Sequence, residues 1–525
     1  MSSTIAQVIL FAAALVAAGL AGVRWLRVAQ REHYLPGSVV RFARRWWSIG
    51  PNRLLGAAAL LGLAGAAAKV APAGLVAVAA VAAGPFGLGL RGRTSALVWT
   101  RRLKVLAAVA ATLAAAAVAL AVAAAPGWTV AAAAATLAAV AAPVIVDLAL
   151  VATRPLERRL GAKFVRRATA KLAAVHPKVV AITGSYGKTG TKGYIAHLVT
   201  GSLTVVATPK SYNNQSGLSR AVNDHLLPAT DVFVAEMGTY GPGEIAEMCA
   251  WVTPDIAVIT AIGPVHLERM KDEATITRAK AEILERAEVA VLNIDSPWLA
   301  PLADQRATDS KKVWRCSAVD RRADVCVAHD DGALRVFIRT PGGGNRQIAH
   351  VKGSDAPPTN VACAVAVALE LGVDAELIGR RLPGLQGAPH RREVSIAKAG
   401  ATVIDDTYNA NPAGAAAALR LLAGIAGLPS AKRVVVTPGM VELGDRQDDE
   451  NAAFGQAAAA VASHLLVIGQ TNAKALIAGA RRVPESERAE VLRFTRRDDA
   501  VGWVTEHLGP GDAVLYENDL PDHHP

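Results

Sequence analysis

Up to about residue 155 the chain alternates between long apolar stretches and short basic ones. The apolar runs lie at Ile5–Val23, Leu54–Val70, Ala73–Leu90, Val105–Ala125 and Val130–Ala152. Each approaches the ~17–25 residues that a helix needs to cross a bilayer. The segment 24–53 carries Arg24, Arg27, Arg31, Arg41, Arg44, Arg45 and Arg53 against one acid, Glu32. The segment 91–104 carries Arg91, Arg93, Arg101, Arg102 and Lys104. The alternate connections hold only Lys69 in one and Pro126-Gly127-Trp128 in the other. Basic loops stay on the cytoplasmic side. The pattern therefore predicts about five spans over 1–154, an N-terminus outside, and everything after Arg154 in the cytosol. A cleaved signal peptide does not fit, because the first run lacks a basic leader and a small-residue cleavage site. The competing reading is an alanine-rich soluble bundle, since the second and third runs are short and contain glycine and proline. Trp46 and Trp47 beside Arg44 and Arg45 suggest an interfacial helix. Asp147, an ionisable group inside the last apolar run, is a candidate site on those grounds.

Residues 155–178 read as a basic, amphipathic connector. From Val179 the pattern changes to short β-branched runs alternating with helical stretches, the signature of parallel α/β sheets. Val179–Thr183, Val232–Glu236, Ile256–Thr260 and Val289–Asn293 form one series. A second series begins near Val394 with Ala401–Asp405, Arg433–Pro438, His464–Ile468 and Ala513–Tyr516. The expected architecture is an α-helical transmembrane domain followed by two α/β domains, at 179–388 and 389–525. The length of 525 residues accommodates that number of cores. A net charge of +12 would suit nucleic acid or an anionic membrane. Much of the basic excess lies beside the apolar runs, which argues against nucleic acid. Cys249, Cys316, Cys326 and Cys363 form no CxxC pair, so they are expected as reduced, buried thiols rather than zinc ligands.

Chemistry first shows at Gly184-Ser185-Tyr186-Gly187-Lys188-Thr189, directly after the strand Val179–Thr183. Glycines let backbone N–H groups turn onto phosphate oxygens, and the following helix adds its positive end. The lysine neutralises transferring charge and the threonine hydroxyl suits Mg²⁺. The general phosphate-loop pattern has a glycine where this chain has Ile182, so the loop alone is a weak signal. Glu236 ends one buried strand and His266 follows another, as metal ligands would. A lone Glu or His at a strand end is more often structural; their company with the phosphate loop reverses that balance.

Taken together, Thr183–Thr189, Glu236-Met237-Gly238, His266-Leu267-Glu268 and Ala279-Lys280-Ala281-Glu282-Ile283 resemble the central domain of the Mur ligase family. Ser211-Tyr212-Asn213-Asn214-Gln215-Ser216-Gly217, Asp405-Asp406-Thr407-Tyr408-Asn409-Ala410-Asn411-Pro412 and Gly439-Met440-Val441-Glu442-Leu443-Gly444 are similar to the branch that adds D-alanyl-D-alanine. His390-Arg391-Arg392-Glu393 resembles the family's hinge between central and C-terminal domains. The resemblance implies an ATP-dependent carboxylate–amine ligase of cell-wall peptide synthesis working through an acyl-phosphate. It implies ATP at Gly184, Ser185, Gly187, Lys188, Thr189, Asn214, Asn360, Arg391 and Asp406. Lys188, Lys280, Arg391 and Asp406 would be catalytic. Two Mg²⁺ ions would be held by Thr189, Glu236, His266 and a carbamylated Lys280. Asn213, Tyr408, Asn409 and Asn411 would face the peptide acceptor and the amino-acid or dipeptide donor.

The resemblance covers about 178–518. Apolar runs stand where the family has its UDP-binding domain, which leaves the acceptor open between a UDP-linked and a lipid-linked precursor. Leu515-Tyr516-Glu517-Asn518-Asp519 replaces a KGS motif, and Arg392 and Pro438 also depart from the branch. A membrane-bound polyglutamate-type synthetase and a non-catalytic ATP-binding scaffold are the alternatives. The first is opposed by the 405–412 motif, the second by the intact set Lys188, Glu236, His266 and Lys280.

Overall fold

A computed structural model describes residues 3–92, 96–209, 212–330, 332–354, 356–387, 390–408, 410–425, 431–520 and 523–524. Arg93, Ser211, Asn409 and the domain boundary expected between 388 and 389 fall outside the described residues. The chain forms two compact units, 1–160 with 520–525, and 161–519.

In the first unit the apolar runs become helices α1 (Ser3–Arg31), α3 (Asn52–Ala67), α4 (Ala71–Ala83), α5 (Arg101–Ala124), α6 (Trp128–Val140) and α7 (Ala142–Val175), with α2 (Ser38–Trp47) between the first two. The expectation of five spans is revised. Among the described residues two helices, Thr4–Arg31 and Arg101–Ala124, are long and apolar enough to cross a membrane. A third would count only if α6 and α7, bent by 74° at their junction, act as one. The 16 residues of α3 and 13 of α4 are only about 24 and 20 Å long at ~1.5 Å per residue, short of a ~30 Å hydrocarbon core. They form a hairpin held close by small residues. A Cβ on Gly62 would lie 2.5 Å from the Ala73 carbonyl oxygen, and one on Gly65 2.3 Å from the Ala73 Cβ. Most of the expected connector lies on α7, which runs without a break through Pro155 as far as Val175.

Helix ends account for two of the charges inside this apolar unit. Arg24 is buried and donates to the carbonyls of Val81, Ala82, Gly84 and Leu88 at 2.5–3.2 Å. It thereby satisfies acceptors that the end of α4 leaves unpaired. Asp147 accepts from the N–H groups of Gly37, Val39 and Val40 at 3.0, 3.4 and 2.8 Å. Its carboxylate thus caps α2, and the structure gives it this role in place of the ligand site read from sequence. Helix α2 is amphipathic, burying Val39, Phe42, Ala43 and Trp46.

The second unit contains two sheets. The first orders nine strands as β2-β3-β1-β4-β5-β6-β7-β8-β9. They are β1 (Lys178–Thr183), β2 (Val205–Ala207), β3 (Val232–Glu236), β4 (Ile256–Ile259), β5 (Val289–Asn293), β6 (Lys312–Ser317), β7 (Val325–Asp330), β8 (Ala333–Arg339) and β9 (Asn345–Lys352). Strands β1 to β7 pair in parallel, and β7-β8-β9 add an antiparallel meander that the sequence reading did not single out. Val180 and Ile182 face one core and Val179 and Ala181 the other, so the strand is buried on both sides. The second sheet orders β10 (Glu393–Ile396), β11 (Thr402–Asp406), β15 (Ala513–Glu517), β12 (Arg433–Thr437), β13 (His464–Ile468) and β14 (Glu490–Phe494). Only β10 in it is antiparallel. All four cysteines are free and buried.

Candidate functional site

The order β3-β1-β4 brings three strand carboxyl ends side by side, where α/β sheets bind ligands. The loop after β1 turns sharply. Gly184 has φ 151° and Gly187 has φ 82°. A Cβ on Gly184 would lie 2.0 Å from Thr260 Oγ1, and one on Gly187 2.4 Å from Asn360 Oδ1. Both positions therefore need glycine for space as well as for backbone freedom. Ser185 ties the loop to the next strand's end, donating to the Gly263 carbonyl at 3.0 Å and accepting from its N–H at 3.1 Å. Helix α8 (Lys188–Val199) starts at the loop, so its first N–H groups point into the same space.

Glu236, at the end of β3, is 1% exposed. Its register opposite Ile182 of β1 sets it beside the loop. Thr189 donates to its two oxygens at 3.3 and 3.1 Å, Lys192 at 2.9 Å and Asn213 at 3.3 Å. The amide of Gly238 in turn holds the Asn213 carbonyl at 2.7 Å. Lys188 donates to the Gly184 carbonyl at 2.6 Å. Desolvation pushes its ammonium down to about 8, with Glu236 opposing and Arg391 adding to the shift. Lys280, 2% exposed on the helix Glu273–Ala281, is held well below the usual lysine range by burial and then by Lys188. Lys188, Glu236, Arg391 and Lys280 are thus electrostatic neighbours.

His266 has φ 54°, packs edge-on against Tyr240 at 4.9 Å between centroids, and engages Glu442 through Nδ1. On the C-terminal sheet, Asp406 of β11 pairs in register with Glu517 of β15. Burial pushes Asp406 up to about 6, against the pull of Arg392 and Arg391. Glu517, fully buried, is pushed well above the usual carboxylate range by burial and by Asp406. Burial of the two neighbouring acids thus favours their neutral forms. The Arg391 guanidinium lies 4.7 Å over the Tyr408 ring.

Two sequence candidates serve helix ends here. Asn214 caps α9 (Gln215–His225) by accepting from Gly217 at 2.9 Å, and Asn411 caps the helix Pro412–Gly424 by accepting from Gly414 at 2.9 Å. Asn360, buried, packs its amide on Gly187. Sequence reading missed Lys192. Its one signal was its position one helical turn beyond Lys188 and Thr189. Glu442 and Glu517 were read as motif and departure, without their partners His266 and Asp406.

Comparisons with known proteins follow this geometry. Family models match the chain as "Mur ligase middle domain" over 182–368 and "Mur ligase, glutamate ligase domain" over 390–516. The chain is 31% identical over 379 residues to UDP-N-acetylmuramoyl-tripeptide–D-alanyl-D-alanine ligase of Mycobacterium leprae, covering 67% of this chain and 73% of the relative. To the enzyme of the same name from Escherichia coli it is 30% identical over 338 residues, covering 61% and 73%. A crystal structure of MurF from Acinetobacter baumannii superposes with a TM-score of 0.58 at 26% identity, over 68% of this chain and 77% of that one. MurF of Thermotoga maritima, solved with ADP, shares the fold at a TM-score of 0.57 and 24% identity, over 68% and 80%. Residues 1–160 lie outside both family models.

The pair Lys192–Glu236 generates a stability prediction, since both side chains are buried, at 7% and 2% exposure. Lys192→Met leaves a buried carboxylate without its cation and should cost about 3–5 kcal/mol in chemical denaturation. Adding Glu236→Gln should recover much of that loss. A Lys192→Met protein as stable as wild type, or a double variant whose losses simply add, is the contrary result.

Proposed function

Because this chain belongs to the Mur ligase family, we propose that the cluster around Lys188 and Glu236 binds ATP and drives amide-bond formation on a peptidoglycan precursor. The reaction class is ATP-dependent acid–amino-acid ligation with ADP formation. The γ-phosphoryl group passes to an acceptor carboxylate, an amine attacks the acyl-phosphate, and phosphate leaves. The observation that carries the reading is the convergence of Thr189, Lys192 and Asn213 on Glu236 at the mouth of a glycine-lined loop.

Loop N–H groups and the start of α8 would cradle the phosphates, and Lys188 would follow the charge of the transferring group. The donor set fits a hard divalent cation, because Thr189 Oγ1 and the Glu236 carboxylate offer oxygen only. Mg²⁺ held there would neutralise phosphate charge during transfer. Nδ1 of His266 is engaged by Glu442, the outer carboxylate contact that orients a metal-binding imidazole. Arg391 and the Asp406–Glu517 pair would complete the nucleotide site from the C-terminal domain. Tyr408 and Asn213, with Asn409 and Asn411, would border the acceptor and the donor, for which D-alanyl-D-alanine is the leading candidate. Burial holds Lys280 well below the usual lysine range, which favours the free amine that carbamylation requires. Its carbamate would supply a second anionic metal ligand.

We further read residues 1–160 as a multi-pass membrane domain that keeps the ligase domains in the cytoplasm. The outer faces support this. Leu15, Val16, Leu60, Leu61 and Leu120 are each more than half exposed. Large aliphatic side chains exposed on several helices of one unit suit contact with lipid. The acceptor is then a lipid-linked precursor presented at the membrane.

Three outcomes test these readings. First, kcat/KM for ATP should fall above about pH 8, where Lys188 loses its proton, rather than near the ordinary lysine value of 10.5. The sign follows from the protonated form binding phosphate. A profile flat to pH 10 would overturn the reading that a Lys188 of lowered proton affinity binds the phosphate. Second, Lys280→Ala should lower kcat by at least about 100-fold. Millimolar acetate or propionate should restore part of it by standing in for the carbamate, whereas a lysine acting as a cation would not be replaced by a carboxylate. Third, purified protein with ATP and D-alanyl-D-alanine should extend a lipid-linked peptide precursor at least about tenfold faster than its UDP-linked counterpart, a difference of ~1.4 kcal/mol in the barrier. Equal turnover of the soluble precursor sinks the lipid proposal.

A further inference from the structure

The last residues of the chain, 520–525, belong to the helical unit rather than to the ligase unit. Within the helical unit His523 is buried, with its side chain 3% exposed, and Glu32 lies at the end of α1 with its side chain 10% exposed. His523 Nε2 stands 3.2 Å from Glu32 Oε1. The neighbouring His524 completes a trio in which one ligating atom from each residue lies within 4.8 Å of the other two. The rings of His523 and His524 are 4.8 Å apart, and Phe42 packs on both at 5.1 and 4.8 Å.

The arrangement exceeds what a salt bridge needs. Arg41 already holds Glu32 Oε2 at 3.1 Å, so the carboxylate has a cationic partner without His523. The His523 Nδ1 atom is buried and has no hydrogen-bond partner among the described residues. Leaving an imidazole nitrogen dry and unpaired costs about 1–3 kcal/mol. The Trp46 indole N–H holds the His523 carbonyl at 2.8 Å and fixes the backbone of the histidine pair. Ligating groups in metal sites are held in this way, with a carboxylate anchored by an outer donor and the histidines packed against apolar rings.

We propose that Glu32, His523 and His524 form a binding site for a borderline divalent ion, of which Zn²⁺ is the prime candidate. Two imidazoles and one carboxylate suit Zn²⁺, Co²⁺ or Ni²⁺ and do not suit Mg²⁺ or Ca²⁺. Tetrahedral ligation at ~2.0–2.1 Å would bring the three atoms to about 3.4 Å apart, a contraction that side-chain rotation can supply. The ion would pin the C-terminal segment to the end of α1, closing the helical unit across chain positions 32 and 523.

The test uses the full chain in detergent, stripped with EDTA, dialysed, loaded with Zn²⁺ without nucleotide and assayed by elemental mass spectrometry. The readout is the difference between proteins, so an ion at the ATP site cancels. Wild type should retain about one more Zn²⁺ per chain than His523→Ala/His524→Ala or Glu32→Gln. A variant at the exposed His507 should match wild type. Equal retention in wild type and the double variant overturns the site. Should the variants aggregate, Co²⁺-loaded wild type decides. A tetrahedral ligand-field spectrum supports the site, and an octahedral spectrum like that of the aqueous ion overturns it.

Discussion

One buried charge organises the ligase unit. The Glu236 carboxylate sits at the end of a central strand, almost without water, and cannot stay ionised there unpaired. Its compensation comes from three places. Thr189 and Lys192 reach it from the first turns of α8, and Asn213 reaches it from the loop before α9. Those contacts require the β1–β3 register, the close turn at Gly184 and Gly187, and the placement of α8 directly after the loop. Geometry suited to a phosphate and a hard cation is therefore also the geometry that makes the carboxylate tolerable. Lys192 serves the resting protein, since a cation entering beside Glu236 would take over part of its role.

The strands around this site were legible because central parallel strands are buried on both faces and read as unbroken β-branched runs. Val232–Glu236 and Val289–Asn293 match the observed strands in full, and β1 and β4 differ by one residue at an end. The meander Val325–Lys352 lies beyond the parallel core, partly exposed, and carries no such run. Lys192 was hidden for a different reason. A lysine on a polar helix is nearly always solvated, and only the carboxylate it meets across 44 positions of sequence makes it special. Asp406 was visible as a motif residue. Its partner Glu517 was visible only as a departure, because pairing between β11 and β15 is a property of the sheet and not of either segment.

The helical unit shows where charge is a poor guide to function. Arg24 and Asp147 lie within apolar helices, and intramembrane ionisable groups are ordinarily suspected of ligand or proton chemistry. Here each meets the backbone groups that a helix terminus leaves over, carbonyls at the end of α4 for Arg24 and amides at the start of α2 for Asp147. Short helices create those termini. The 10 residues of α2 begin and the 13 of α4 end at buried positions, and something polar must satisfy the backbone groups left there. The shortness of these helices thus explains why charges are needed beside them.

Residues 1–160 lie outside the matched domains. Glu517, read from sequence only as a departure from the family motif, lies in register with Asp406 on the neighbouring strand, where burial favours the neutral form of both acids. The guanidinium groups of Arg391 and Arg392 oppose that shift at Asp406. The contacts of Lys188, Thr189 and Glu236 lie within the first sheet and its loops, and none of them involves Glu517. The second sheet can therefore change its buried charges while the glycine-lined loop keeps its geometry, which is how one fold comes to host several functions.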